Sequence, residues 1–337
     1  MENRNHTIDI ARGISILSMV GLHSHLSDGY YYPLVHEIFV KYLMLYLVPF
    51  FFFISGVFYK EMNYRRFVFL RFSTIMKPVF FTVIFYNLFF WDNNWVDIFN
   101  DMYGVFQFPL YALWFMPTLL VTMLVCAIII KSKSSNIKTL SALVVLVAFT
   151  SNASAFSFLD WSDSNALISS RLPFTAESLI FTVPLFMCGY YFRNDVAHFK
   201  ISIGCFLFFF ASMVFFVIKY GVVINIGSFV FKPYLFCLIS SLFSIYVLLC
   251  VSKICGKLSV VSHCLRVCGR DSLYIALFHG PLLYFLAIII NNGGILNLSM
   301  LAKDLIVFFL SVIMSLIIKN ILALSKPTRW MFAIRKM

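Results

Sequence analysis

Long apolar stretches separated by short polar segments recur along the whole chain, and this pattern predicts a bundle of membrane-spanning helices. A spanning helix needs about 20 mostly apolar residues to cross a hydrocarbon core roughly 30 Å thick. Ten stretches approach this length, although the third and fifth need tilt or flanking residues to complete them. They are Ile8–Leu26, Ile38–Phe58, Pro78–Trp91, Leu113–Ile130, Thr139–Ser151, Phe174–Phe192, Ile201–Ile218, Pro233–Val251, Asp271–Ile290 and Ala302–Leu324.

The composition agrees with a membrane protein. Of the 337 residues 61% are hydrophobic and only 12% are charged, and the mean hydropathy is +0.92. Soluble domains carry about 25% charged residues and about 45–50% apolar residues. A soluble enzyme, a disordered chain and a disulfide-rich secreted module are therefore excluded. The predicted fold class is all-α: a polytopic integral membrane bundle of about ten transmembrane helices, in a single domain over residues 1–337.

The positions of the basic residues predict how the bundle is oriented. The chain has 26 basic and 14 acidic residues, a net charge of +12. With the N-terminus inside, the predicted inner segments hold 19 of the basic residues and the outer loops hold three: Arg171, Lys219 and Lys232. Cytoplasmic loops collect Lys and Arg in this way, so both termini are expected to be cytoplasmic. The positive charge then serves topology, and no nucleic-acid partner is expected.

The first apolar stretch is expected to be a retained span and not a signal peptide, because Arg12 interrupts it and no small-residue cleavage site follows. The eight cysteines do not indicate a metal site. Five lie within predicted spans, and Cys264 and Cys268 beside His263 form no CxxC pair. We therefore expect no bound metal.

Ionisable residues inside the first stretch are the strongest functional signal, since such residues are rare in spanning helices. Arg12 and His23 are eleven residues apart, which at 100° per residue brings them within about 20° of one helical face, about 16 Å apart along the axis. Arg12 would lie near the cytoplasmic mouth and His23 in the outer half. A cation there can hold an anionic ligand, and a neutral imidazole can take a proton from a hydroxyl. Snorkelling of Arg12 and simple packing of His23 remain open.

Two further residues are candidates for the same interior. Glu177 is expected at the depth of His23, where it could orient the imidazole, or it could cap the outer start of its own helix. His279 is expected about 13 Å in from Arg270, near mid-membrane, as a cavity residue or a structural histidine.

Short motifs spread over nearly the whole chain resemble the acyltransferase-3 family of integral-membrane acyltransferases, which O-acetylate surface glycans in bacteria. The opening Asp9-Ile10-Ala11-Arg12-Gly13 followed by His23, and the stretch from Pro49 to Gly56, are similar to family motifs. So are the basic residues that precede Pro78, the Trp114-Phe115 pair, and Asp271-Ser272-Leu273-Tyr274 followed by His279. Asp271 stands where asparagine is commoner in the family, and Lys77 where arginine is usual.

The resemblance implies roles for individual residues. His23 would be the catalytic histidine and Arg12 the essential cation on the donor side. The expected phosphate contacts for acyl-coenzyme A are Arg65, Arg66 and Arg71, unless their charge is merely topogenic. The expected substrate-cavity residues are Trp114, His279 and Ser55. Trp114 could instead anchor at the membrane interface, and Ser55 with Gly56 could serve close helix approach.

The sequence thus predicts an inner-membrane O-acetyltransferase with acetyl-CoA as co-substrate and no permanently bound cofactor. The expected acceptor is a glycan or lipid-linked glycan, and the expected surroundings are membrane lipid. His23 would act as general base or carry the acyl group transiently. The alternatives are a transporter or flippase for a lipid-linked glycan, and a polysaccharide polymerase.

Overall fold

The chain folds as a helical bundle with one small β-hairpin. The structure is a computed structural model, and it describes residues 5–26, 34–90, 113–132, 178–227, 230–292 and 299–334. The helices are α1 His6–Leu26, α2 Leu34–Met44, α3 Leu47–Val57, α4 Tyr64–Arg71, α5 Lys77–Phe90, α6 Phe115–Lys131, α7 Leu179–Tyr191, α8 Arg193–Ala197, α9 Ile203–Tyr220, α10 Tyr234–Cys255, α11 Ser259–Arg270, α12 Ser272–Asn292, α13 Met300–Leu322 and α14 Lys326–Met331; the strands are β1 Val223–Asn225 and β2 Val230–Lys232.

These elements confirm an all-α membrane bundle. Six helical segments in the described part are long and apolar enough to cross a membrane, and two shorter apolar helices accompany them. The six are Phe39–Val57, Tyr64–Phe85, Ile203–Tyr220, Tyr234–Cys255, Ser272–Ile290 and Leu301–Leu322; the shorter two are Phe115–Lys131 and Leu179–Tyr191. The predicted span Thr139–Ser151 lies outside the described residues. The total of ten spans and the cytoplasmic termini stay predictions.

The helix that contains the predicted third span begins before Pro78. Helix continues from Tyr64 through α4, a π-helical segment Phe72–Met76 and α5, and the apolar segment begins 14 residues earlier than predicted. A proline inside an α-helix clashes with the carbonyl four residues before it, here Thr74. Thr74 lies in the π-helical turn, whose different hydrogen-bond spacing accommodates the proline. The three arginines of the predicted inner loop therefore lie on a helix.

The second predicted span, Ile38–Phe58, is divided into α2 and α3 by a turn at Leu45 and Tyr46. Pro49 has no N–H to donate to the carbonyl of Leu45, so an uninterrupted α-helix would lose a hydrogen bond at this point. Gly56 of α3 then packs directly on the backbone of Phe186 in α7, and Gly189 of α7 packs on Phe53. These glycines confirm close helix approach at the Ser-Gly motif.

The segment predicted as the inner loop 252–270 contains helix α11, which packs antiparallel along α1. A Cβ on Gly13 would overlap the backbone carbonyl of Leu265, and one on Gly269 would overlap that of Asp9. At both positions a glycine, which has no side chain, contacts the backbone of the other helix. The backbones of the two helices therefore touch directly. This pair forms one wall at the end of the bundle where α1 begins.

The hairpin between α9 and α10 closes against the other end of the bundle. Its strands pair antiparallel, with Ile224 opposite Phe231, and both side chains are buried. The Phe231 ring stacks on Phe181 of α7 with 4.4 Å between centroids. Ser178, at the start of α7, donates a hydrogen bond to the carbonyl of Ile226 and ties the hairpin to the helices.

Candidate active site

His23 of α1 and His279 of α12 form a hydrogen-bonded pair in the interior of the bundle. Nδ1 of His23 lies 2.9 Å from Nε2 of His279, and the two rings are nearly parallel, with 8° between their planes. His279 is completely buried, whereas His23 keeps partial exposure. The structure therefore brings together two of the residues singled out from the sequence.

The neighbours of His279 determine which ring nitrogens carry protons. Nδ1 of His279 lies 2.9 Å from the carbonyl oxygen of Ile275 and 3.0 Å from that of Ala276, so this nitrogen donates. In the neutral ring Nε2 is then an acceptor, and Nδ1–H of His23 donates a hydrogen bond to it. The remaining nitrogen of His23, Nε2, is left with its lone pair. A histidine in this tautomer can remove a proton from a hydroxyl or attack an acyl carbon.

The turn between α11 and α12 explains how the two histidines meet. Helix α11 runs towards the N-terminal end of α1, since Gly13 contacts Leu265 and Gly269 contacts Asp9. A turn at Asp271 separates α11 from α12, and α12 then packs against α1. His279 of α12 thereby comes level with His23 of α1.

Arg12 lies at the other end of the same face of α1. The helix is continuous from His6 to Leu26, so the eleven-residue spacing places Arg12 about 16 Å from His23 along the axis. Its guanidinium lies over the ring of Phe58, 5.1 Å from the centroid, and the side chain is partly buried. An aromatic face stabilises a cation in this position.

Arg65, Arg66 and Arg71 do not form one cluster. Arg65 and Arg66 are exposed at the start of α4, whereas Arg71 turns inward over the ring of Phe67 at 5.2 Å. The Nε atom of Arg71 is buried, and no hydrogen-bond partner contacts it among the residues described. Arg71 is therefore the one of the three with donor capacity directed into the protein.

Tyr59, which no sequence pattern singled out, lies between Arg12 and Arg71. It follows Phe58, the residue under Arg12, and its ring packs against Phe67, the residue under Arg71. Burial raises the pKa of Tyr59, Glu61 adds to the rise and Arg71 opposes it, so the hydroxyl stays a donor. Both guanidiniums therefore flank the short connection between α3 and α4.

Trp114 makes a packing contact with the hairpin, whereas Ser55 makes a hydrogen bond within its own helix. The Trp114 ring packs on Gly227 of the hairpin, where a Cβ would come within 3.0 Å of the indole. Ser55 donates to the carbonyl of Phe51 in its own helix, 2.7 Å away, which satisfies its hydroxyl locally. Neither contact decides whether these two side chains meet a substrate, so their predicted cavity role stays a prediction.

The predicted role of Glu177 stays a prediction. Glu177, the predicted carboxylate partner of His23, lies outside the described residues. Within the described ranges, no group of three His, Cys, Asp or Glu side chains is placed to hold a metal.

Comparison with known proteins identifies the family. The family model described as "Acyltransferase domain", that of the acyltransferase-3 family, matches residues 5–320. A search of curated proteins and a search of solved structures found no match. The matched region includes both histidines, Arg12 and every helix from α1 to α12. The chain is a membrane protein of the acyltransferase-3 family.

Proposed function

We propose that this membrane acyltransferase is an O-acetyltransferase that moves an acetyl group from cytoplasmic acetyl-CoA to a sugar hydroxyl. The observation that carries the proposal is the His23–His279 pair. Because His279 accepts a hydrogen bond from Nδ1–H of His23, the proton of the His23 ring stays on Nδ1. The lone pair of His23 Nε2 is then available to the reacting groups. An oriented imidazole is the usual general base for transfer to a hydroxyl.

The proposed reaction conserves atoms and protons with His23 alone as the proton carrier. Nε2 of His23 takes the proton from the sugar O–H, and the sugar oxygen attacks the thioester carbonyl carbon. The C–S bond breaks, and the leaving coenzyme A thiolate takes the proton back from His23. In the alternative order, Nε2 first attacks the thioester carbonyl carbon, and the C–S bond breaks to release coenzyme A thiolate. The sugar oxygen then attacks the acyl-imidazole carbon, the C–N bond breaks, and the sugar proton passes to the thiolate. His279 serves both routes, since it orients the same lone pair.

The donor would enter from the end of the bundle that carries Arg12 and Arg71. Guanidinium groups match phosphate oxygens in geometry, and coenzyme A is an anionic cytoplasmic molecule. The face of α1 that joins Arg12 to His23 gives a direct path of about 16 Å for the thioester arm. An apolar interior around this path would limit hydrolysis of the thioester by water.

The acceptor we propose is a surface polysaccharide, such as O-antigen, capsule or exopolysaccharide, or its lipid-linked precursor, modified at the bacterial inner membrane. The family motifs and the membrane location support this acceptor. Membership of an acyltransferase family supports group transfer over the alternatives of a glycan transporter or polymerase.

A transfer assay in membranes tests the proposal. Membranes with the wild-type chain are given acetyl-CoA labelled in the acetyl group, and the glycan is analysed by mass spectrometry for one added acetyl per repeat. His23→Ala should reduce transfer at least about 100-fold, the usual contribution of a general base. His198→Ala, a change at an exposed histidine in a polar turn, is the matched control and should transfer normally. Full acetylation by His23→Ala, or loss of chain length without loss of acetyl, contradicts the proposal.

A further inference from the structure

A second polar site lies between the start of α1 and one face of α11. The two helices enclose a cleft of about 230 Å³. Helix α11 contributes four lining residues from one face: His263, Arg266, Val267 and Arg270. The first turn of α1 contributes His6 and Asp9. The volume is several times the roughly 30 Å³ that one water occupies in the liquid, so a small anionic group fits.

The charged groups of the cleft favour an anion. Arg266 and Arg270 outnumber the one carboxylate, that of Asp9, and His6 and His263 add further N–H donors. Within the part of the chain that the structure describes, neither arginine forms an ion pair with a carboxylate. Their charge is therefore not consumed by an internal partner.

Arg266 is held in place by a hydrogen bond within α11, whereas Arg270 is exposed at the end of that helix. Nε of Arg266 donates to the carbonyl of Ser262 at 3.1 Å, which orients the guanidinium and leaves its terminal nitrogens for other acceptors. Arg266 is partly buried. A basic residue that only sets the membrane topology has no need of such burial. Lys257, a nearby cation on the same inner segment, is by contrast fully exposed and lines no part of the cleft.

The frame of the cleft is rigid. Gly13 and Gly269 bring the two backbones into direct contact, so the walls cannot separate without breaking that packing. Asn5 caps α1 by accepting from the backbone N–H groups of Thr7 and Ile8, at 3.1 and 3.3 Å. The positive end of the α1 dipole is thereby ordered beside the cleft, where it also favours an anion.

We propose that this cleft binds a phosphate group through Arg266 and Arg270, separately from the path that leads to His23. Two fork-shaped guanidiniums and adjacent N–H donors are the set that recognises phosphate oxygens. The phosphate belongs either to the acyl donor, coenzyme A, or to the headgroup of an anionic phospholipid. The first source rests on the proposed function and the second does not.

Binding measurements on the purified full-length protein test the cleft. In the donor arm, the affinities for coenzyme A and for pantetheine, which has no phosphate, are compared in phosphatidylcholine nanodiscs. Arg266→Gln with Arg270→Gln should weaken coenzyme A binding at least about tenfold and leave pantetheine unchanged. In the lipid arm, native mass spectrometry follows retention of phosphatidylglycerol, which the same double variant should lose.

Controls make either result decisive. Lys257→Gln removes a cation outside the cleft and should behave as wild type in both arms. Arg266→Lys with Arg270→Lys keeps the charge and should fall between wild type and the glutamine variant, which guards against a folding defect. Wild-type behaviour of the glutamine variant in both arms overturns the proposal. Arginine-dependent binding in a protein that transfers no acetyl group supports the cleft and overturns the proposed function instead.

Discussion

Nδ1 of His23 donates to Nε2 of His279 across 2.9 Å, and this bond selects the tautomer of the histidine that faces the interior. The selection originates in the backbone, because the carbonyls of Ile275 and Ala276 hold the proton on Nδ1 of His279. We therefore infer that His279 is a positioning residue, since it is completely buried and its Nε2 contacts His23.

Replacing His279 should lower the rate of transfer without weakening donor binding. His279→Ala removes the acceptor for the Nδ1 proton of His23, so that the ring can rotate and adopt the wrong tautomer. We expect kcat to fall about 10- to 100-fold, as for outer-shell partners of oriented histidines, with KM for acetyl-CoA nearly unchanged. Kinetics in membranes with labelled acetyl-CoA measure both constants.

His279→Gln is the conservative control. Its amide oxygen can accept from Nδ1 of His23, so this variant should recover part of the kcat lost in His279→Ala. Equal kcat for His279→Ala and wild type would show that the pair has no part in transfer.

Arg71 and Arg66 should contribute very differently to donor binding. Arg71 is turned inward with a buried Nε, whereas Arg66 is exposed at the start of α4. A hydrogen bond to a charged group contributes about 1.5–3 kcal/mol, so Arg71→Gln should raise KM for acetyl-CoA about tenfold or more. Arg66→Gln is the matched charge removal and should change KM less than threefold. A larger rise in KM for Arg66→Gln than for Arg71→Gln would instead place the donor contact at the exposed start of α4.

The α1–α11 contact should tolerate no side chain at Gly269. Because a Cβ there would overlap the carbonyl of Asp9, Gly269→Ala forces the two helices apart. Overpacking costs about 1–3 kcal/mol, and this contact is with backbone that cannot rotate away. Thermal unfolding in detergent should show a lower midpoint. Gly204→Ala in α9, where a Cβ meets nothing within 4 Å, is the control and should leave the midpoint unchanged or raise it.

The sequence predicted the parts of this structure that depend on local pattern. The length of the apolar stretches predicted most of the helices. The eleven-residue spacing predicted that Arg12 and His23 share one helical face, since this follows from helical geometry alone. The His23–His279 contact depends on how α12 packs against α1, and the pattern within either helix does not specify this packing. The inward turn of Arg71 likewise depends on Phe67 and Tyr59, which pattern alone does not connect.

Removing one partner of the Lys319–Asp271 ion pair should destabilise the protein. Removing both charges together should destabilise it much less. Lys319 Nζ lies 3.4 Å from Asp271 Oδ2, and their side chains are only 6% and 18% exposed. Lys319→Met leaves an uncompensated carboxylate, which for a buried pair costs about 3–5 kcal/mol of unfolding free energy. Adding Asp271→Asn removes that charge and keeps a side chain of nearly the same shape. The double variant should therefore recover most of the midpoint lost by Lys319→Met in thermal unfolding. Additive losses would show that the two side chains do not interact.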